Sequence, residues 1–330
     1  MKHVKISTLE PGNRLESVYL IRDVYKRSKK NGEPYISLNL QDATGRVNAM
    51  MWDKVDLFMK NQLSPGDFAA FKADVGLYNG KVQLTIRGVD IVDPNLVDPG
   101  LFLPQSQRPI LEMRTELFQW IDGVKTPHLK KLLDTFFNDE DFLRNFLRAP
   151  SARTMHQAYI GGLVEHTLGV VKNAMTLADN YQEFGIDADL LITAALLHDG
   201  SKVFEYTYRT SIDMTDKGRL VGHLSMMATE IEIRARRIEE FPEEDKILLQ
   251  HMILSHHGKL EYGSPKVPMT AEALILSYAD YIDAYLSTFF EKQKEAHEKG
   301  ERWTDWVDMF GHFLYAGDPP PEGHIPDIEG

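Results

Sequence analysis

Leu190-Leu191-Ile192-Thr193-Ala194-Ala195-Leu196-Leu197-His198-Asp199-Gly200-Ser201-Lys202 decides how most of this chain folds. The run Leu190–Leu197 reads as an apolar helix, and Gly200 as its stop. The pair His198-Asp199 then lies at the C-terminal end of that helix and faces whatever the helix packs against. A carboxylate in the last turn opposes the helix macrodipole, and a buried one without a partner is costly, so Asp199 calls for a compensating cation.

The same inventory recurs outward from this pair. His166 stands early in an apolar helix after Gly161-Gly162-Leu163-Val164-Glu165, Asp280 ends Leu274-Ile275-Leu276-Ser277-Tyr278-Ala279, His256-His257 precede Gly258, and His223 follows Gly222. Imidazole and carboxylate hold divalent transition metals, with manganese, iron, cobalt or zinc favoured over magnesium. Several helices each placing such a group on an apolar face is how bundles build internal metal sites. With no cysteine in the chain, disulfides, thiolate ligands and cysteine nucleophiles are excluded. The residues point to a metallohydrolase.

Helical spacing continues on both sides, over 112–121, 127–137, 139–147, 163–181, 188–197, 224–239, 242–255 and 271–290. It is interrupted at Val203–Arg209 and Leu220–Gly222, which read as a short β-hairpin or ordered loop. Residues 111–315 therefore form an all-α domain with a small hairpin insertion. Trp303 and Trp306 read as core packing. The proline-rich, acidic end, 316–330, reads as a flexible tail.

Residues 1–92 have the opposite character. Five strand-like runs occur, with turn signals at Asp42-Ala43-Thr44-Gly45 and Tyr78-Asn79-Gly80 and a helical segment 54–61 between the third and fourth. Ile36, Leu38 and Leu40 alternate with polar neighbours, as do Val82, Leu84 and Ile86. This matches a five-stranded Greek-key OB barrel, a fold that commonly binds single strands. Lys26, Arg27, Lys29 and Lys30, read as the loop between strands one and two, lie near outward-facing Tyr35 and Arg87. Together they give the cationic groove and stacking platform of a single-strand binder. A proline-rich linker, 93–110, joins the two domains.

The 330-residue chain carries a formal charge of −12, unevenly spread. Residues 1–92 hold 14 Lys and Arg against 10 Asp and Glu, a net of +4, and the rest carries −16. The asymmetry suggests different partners for the two parts. No apolar run approaches the ~18 residues of a membrane span, and Met1–Asn13 lacks the apolar stretch of a secretory signal. The expectation is a cytoplasmic protein without a membrane role; a homo-oligomer is compatible with the sequence.

The order His166, His198-Asp199, His223, His256, Asp280 resembles the HD superfamily of metal-dependent phosphohydrolases, and Lys202 completes its HD-x-x-K form. With the OB domain, the strings Tyr159–Thr167, Leu196–Asp199 and Ile253–Gly258 look like the bacterial YhaM-type 3′→5′ exoribonucleases. One departure is Gly200-Ser201, where the family has an aliphatic residue and then glycine. The resemblance implies that His166, His198, Asp199 and Asp280 hold one metal, and that His223 with His256 or His257 completes a second site bridged by Asp199. Lys202 would neutralise a non-bridging phosphoryl oxygen. The implied activity is removal of nucleoside 5′-monophosphates from single-stranded RNA or DNA with one or two divalent ions per chain, manganese first. An HD-type nucleotide phosphohydrolase or cyclic-nucleotide phosphodiesterase, and a non-catalytic RNA-binding protein with a structural HD domain, are the alternatives.

Overall fold

The computed structural model describes residues 3–153 and 157–319. It divides into two compact units, one comprising residues 1–107, 159–161 and 206–216, the other the remainder.

The first unit is a closed barrel of β1 (Arg14–Ser28), β2 (Pro34–Asp42), β3 (Gly45–Met51), β4 (Phe68–Tyr78) and β5 (Lys81–Val92), with α1 (Val55–Lys60) between β3 and β4. The strand order is β1-β2-β3-β5-β4, closed by β4 pairing with β1, and β3 and β5 run parallel. Closure removes every sheet edge. The long β1 serves both neighbours because its register shifts between Ile21 and Asp23: its first half pairs with β4, its second with β2. Such an irregularity bends a strand around a barrel. The inward set, including Tyr19, Ile36, Leu38, Leu40, Phe71, Leu84 and Ile86, forms a continuous core.

β1 runs through Ser28, so Lys26 and Arg27 stand on the strand and not in a loop. The segment expected as a linker is also structured. Asp93 and Asp98 each cap a short turn, at Pro94–Leu96 and Pro99–Leu101. Beyond them Phe102 and Leu103 are buried against Val18, Leu20 and Phe68. The proline count signals absence of regular structure, whereas burial of two large apolar side chains decides that 93–107 packs.

The second unit is helical: α2 (Ile110–Gly123), α3 (Pro127–Phe137), α4 (Glu140–Phe146), α5 (Gly162–Asp179), α6 (Ala188–Leu197), α7 (Lys202–Glu205), α8 (Asp216–Val221), α9 (His223–Ala235), α10 (Glu243–Ser255) and α11 (Ala271–Glu298). Every residue from Leu190 to Leu197 is buried, so α6 is the central helix. Asp187 caps its start by accepting from Leu190 N, and α5 and α11 pack alongside it. The expected short β-hairpin or ordered loop over 203–209 and 220–222 is corrected, its second part being the end of α8. Its first part is the helical turn α7, and the hairpin consists only of β6 (Tyr206–Thr207) and β7 (Asp213–Met214). Val203, Phe204, Tyr206 and Tyr208 favour strands, but burial of α7 against its neighbours overrides that preference.

Trp303 and Trp306 are not core residues. They are half exposed in a C-terminal hairpin, where Trp303 packs on Tyr315 and Trp306 on Phe313. Ala316 is buried and hydrogen-bonded to Arg302, so the chain remains packed past the expected start of the tail; residues 320–330 lie outside the described residues. Among the described residues no helix is long and apolar enough to cross a membrane.

Candidate functional site

The turn after α6 brings His198 and Asp199 into the middle of the second unit. Gly200 permits this through its size and not through a left-handed backbone. It lacks a positive φ, and a Cβ there would meet Leu197 O and Met227 Sδ at 3.3 Å and Phe142 Cζ at 3.4 Å. His166 comes from the first turns of α5, His223 from the start of α9, His256 and His257 from the end of α10, and Asp280 from α11.

All five histidines are oriented alike. Nδ1–H of His198 donates to Ala195 O (2.7 Å), that of His256 to Ile253 O (2.8 Å) and that of His257 to Tyr262 O (3.1 Å). His166 Nδ1 meets Asp283 Oδ2 at 2.7 Å, and His223 Nδ1 meets Glu205 Oε1 at 3.1 Å. These acceptors fix the tautomers and leave each Nε2 lone pair aimed inward, the usual arrangement of metal-binding histidine. The Nε2 atoms of His166 and His198 approach to 3.3 Å, as do those of His223 and His257. Lone pairs so close need a cation or a proton between them.

Asp199 lies between the two pairs. Its Oδ2 is 3.5 Å from His166 Nε2 and 3.4 Å from His198 Nε2; its Oδ1 is 3.5 Å from His223 Nε2 and 3.7 Å from His256 Nε2. Asp280 Oδ1 adds a 3.0 Å contact to His166 Nε2. Asp199 Oδ1 is buried without a hydrogen-bond donor, and a buried orphan carboxylate oxygen surrounded by imidazole lone pairs fits a divalent cation. Three ligand groupings are close enough to hold an ion: His166, His198 and Asp280; His198, Asp199 and His256; His223, His256 and His257. Both members of the His256-His257 pair face the cluster because the helix ends at Ser255, freeing His257 from helical divergence.

The electrostatics agree. Burial would raise the Asp280 and Asp199 carboxyls, but His166 outweighs it at Asp280, and Lys202 with His198 at Asp199, so both stay well below the ordinary range. Burial lowers His256, and burial with the neighbouring imidazoles lowers His257 to about 3, keeping both in the neutral, metal-binding form. Burial also lowers His166, but Asp280 and Asp283 override it and raise the group to about 10. A proton there occupies the position a cation would take. Metal uptake at pH 7.5 is therefore expected to release a proton from His166, with affinity rising as pH increases toward 10. Calorimetry in buffers of different ionisation enthalpy measures this, and buffer-independent heats would contradict it.

Lys202 Nζ is 2.6 Å from Asp199 Oδ2 and the side chain is only 8% exposed, so it balances the carboxylate's charge. Three further residues support the cluster. Asp283 orients His166 and also accepts from Gln157 Nε2 at 3.1 Å, Glu205 orients His223, and Gly169 makes room for Asp283. Asp283 stands one turn beyond Asp280 on α11, a spacing that marks it in the sequence. The sequence also offers Arg153, His156 and Arg209, which flank these motifs, as phosphate contacts; His156 lies outside the described residues.

The barrel carries a second candidate surface. Arg27 pairs with Tyr35 across β1 and β2 and shares its outward face, whereas Lys26 pairs with core residue Ile36 and lies on the other face. Two further aromatics join Arg27 there. Trp52 stacks on Tyr35 at 4.7 Å, and Tyr25 lies under Arg27, its ring centroid 5.6 Å away. Lys30 is exposed, but Lys29 pairs with Glu33 and Asp53, and Arg87 with Asp74 at 2.8 Å, so these two cations are locally balanced.

The models of two known families match the two parts: an OB-fold nucleic acid binding domain over residues 21–92 and the HD domain over 163–285. The 3′-5′ exoribonuclease YhaM of Bacillus subtilis is 33% identical over 293 residues, covering 88% of this chain and 91% of that protein. YhaM of Bacillus licheniformis is 33% identical over 295 residues, with the same coverage of both chains. A match of this extent across both domains places the chain in the family of YhaM 3′-5′ exoribonucleases.

Proposed function

We propose that this chain is a metal-dependent 3′→5′ exonuclease that removes nucleoside 5′-monophosphates from single-stranded RNA and, secondarily, from single-stranded DNA. The observation that carries the reading is the convergence of four imidazole Nε2 atoms, those of His166, His198, His223 and His256, on Asp199, whose Oδ1 has no donor. His166, His198, Asp199 Oδ2 and Asp280 would hold one cation; His223, His256, His257 and Asp199 Oδ1 would hold a second. Manganese suits this mixed nitrogen and oxygen set. Bound there, a divalent ion supplies Lewis acidity toward a phosphoryl oxygen and makes water more acidic. The protein's own contribution is to orient the imidazoles, to hold His256 and His257 in the neutral form, and to keep Asp199 ionised through Lys202.

The barrel supplies what the acidic second part lacks. Trp52, Tyr35 and Tyr25 offer faces on which bases stack, and Arg27 offers a phosphate contact. Trp52→Ala is expected to weaken single-strand binding by about 1–3 kcal/mol while metal affinity stays unchanged. Fluorescence anisotropy with labelled RNA checks this, and unchanged RNA affinity would remove Trp52 from the binding face. For the activity, the test is a panel of single-stranded RNA, single-stranded DNA, dNTPs and cyclic dinucleotides with manganese, cobalt, magnesium or zinc. Stepwise shortening of the strands supports the proposal, and turnover of mononucleotide or cyclic substrates with strands left intact would refute it.

A further inference from the structure

The metal cluster is closed on one side and open on the other. The His166 and His198 side chains are fully buried and that of His256 is 1% exposed, whereas the Asp280 side chain is 16% and that of His223 13% exposed. Three tyrosines lie on the segments that carry Asp280 and follow His257. Tyr281 follows Asp280 directly on α11 and stacks on Tyr285, with ring centroids 3.8 Å apart and an interplanar angle of 21°. Tyr262 is joined to the cluster by its carbonyl, which accepts from His257 Nδ1. The loop bearing Tyr262 is held against α11 at Gly258. That residue has a φ of +78°, and a Cβ on it would lie 2.7 Å from Ser277 Oγ, one turn before Tyr281. Burial, then the Tyr281 and Tyr262 hydroxyls, push the Tyr285 hydroxyl up to about 12, consistent with the three rings sharing one patch. Tyr285 is braced from behind by Phe310, 5.1 Å between centroids, and Tyr281 and Tyr262 stay about half exposed. Lys259 places its ammonium 5.1 Å from the Tyr262 ring centroid and pairs with Glu261 Oε1 at 3.4 Å.

We infer that Tyr262, Tyr281 and Tyr285 form a stacking subsite for the 3′-terminal nucleobase of the strand whose last phosphodiester lies at the cluster. The inference rests on the exonuclease reading above. A flat, braced pair of rings on the helix that carries Asp280 matches a nucleotide's planar base. Stacking without hydrogen-bond readout also implies that all four terminal bases are accepted.

The test compares two single-stranded RNAs in manganese, one with an intact 3′-terminal nucleotide and one ending in an abasic residue. Wild-type KM is expected to be about 5- to 150-fold higher on the abasic strand, and Tyr281→Ala to raise KM on the intact strand by a similar factor with kcat little changed. On the abasic strand Tyr281→Ala should have no further effect, and Tyr281→Phe should resemble wild type on both. Equal losses by Tyr281→Ala on both strands, or none on the intact strand, would overturn the subsite. A second readout needs no turnover. A 3′-terminal 2-aminopurine should be quenched on wild type and Tyr281→Phe but not on Tyr281→Ala, and an unquenched wild-type complex would also overturn it. Quenching without any strand shortening would instead refute the exonuclease reading and leave the base site standing.

Discussion

Asp199→Asn is expected to lower metal-dependent hydrolysis by more than about 1,000-fold, a loss of at least ~4 kcal/mol of transition-state stabilisation, while single-strand binding by the barrel persists. The two carboxylate oxygens face different histidines, Oδ2 toward His166 and His198, Oδ1 toward His223 and His256, so one substitution weakens both parts of the cluster. It also removes the carboxylate charge that Lys202 Nζ meets at 2.6 Å. Both side chains are nearly buried, and removing one member of a buried ion pair typically costs about 3–5 kcal/mol. A second substitution, Lys202→Met, should return most of that stability to Asp199→Asn without returning activity. Denaturant unfolding alongside an RNA-shortening assay separates the two effects. Full activity in Asp199→Asn would remove this residue from the centre of the account.

Gly169→Ala carries the next largest effect. A Cβ at this position of α5 would lie 1.9 Å from Asp283 Oδ1, so the carboxylate has to move, and with it the hydrogen bond that orients His166. The expected outcome is a stability loss of about 1–3 kcal/mol from overpacking and a 10- to 100-fold weaker affinity for manganese, the size typical of disturbing a ligand's supporting hydrogen bond. Asp283→Ala should lose a similar metal affinity for a different reason. In the Asp283→Ala background the added methyl has room, so Gly169→Ala should cost little there. An undiminished cost in that background, read by urea unfolding and manganese titration, would show that Gly169 acts through something other than Asp283.

The ligand candidates were legible in the sequence because each put a costly group on an apolar helix. His166, Asp199 and Asp280 stood out for that reason, and the structure brings them together with His198, His223, His256 and His257. What orients them was less legible. Asp283 resembled any acid on a long helix, although its spacing from Asp280 was a usable signal. Gly169 was another: a glycine inside a helix costs about 1 kcal/mol relative to alanine and so needs a packing reason. The barrel could be read from alternation and turn residues, but the length of β1 could not, because its register shift depends on pairing with two different neighbours. That length decides which cations share a face with Tyr35. The segments 93–107 and 202–205 escaped because burial, a tertiary property, determined their conformation.

The central claim is tested most directly by stripping the purified protein of metal and adding back manganese in the presence of single-stranded RNA labelled at its 5′ end. The account predicts no cleavage without metal. With manganese it predicts a ladder of 5′-labelled products shortening one nucleotide at a time from the 3′ end, with nucleoside 5′-monophosphates released. Cleavage that persists in chelator, or labelled mononucleotide as the first product, would contradict it.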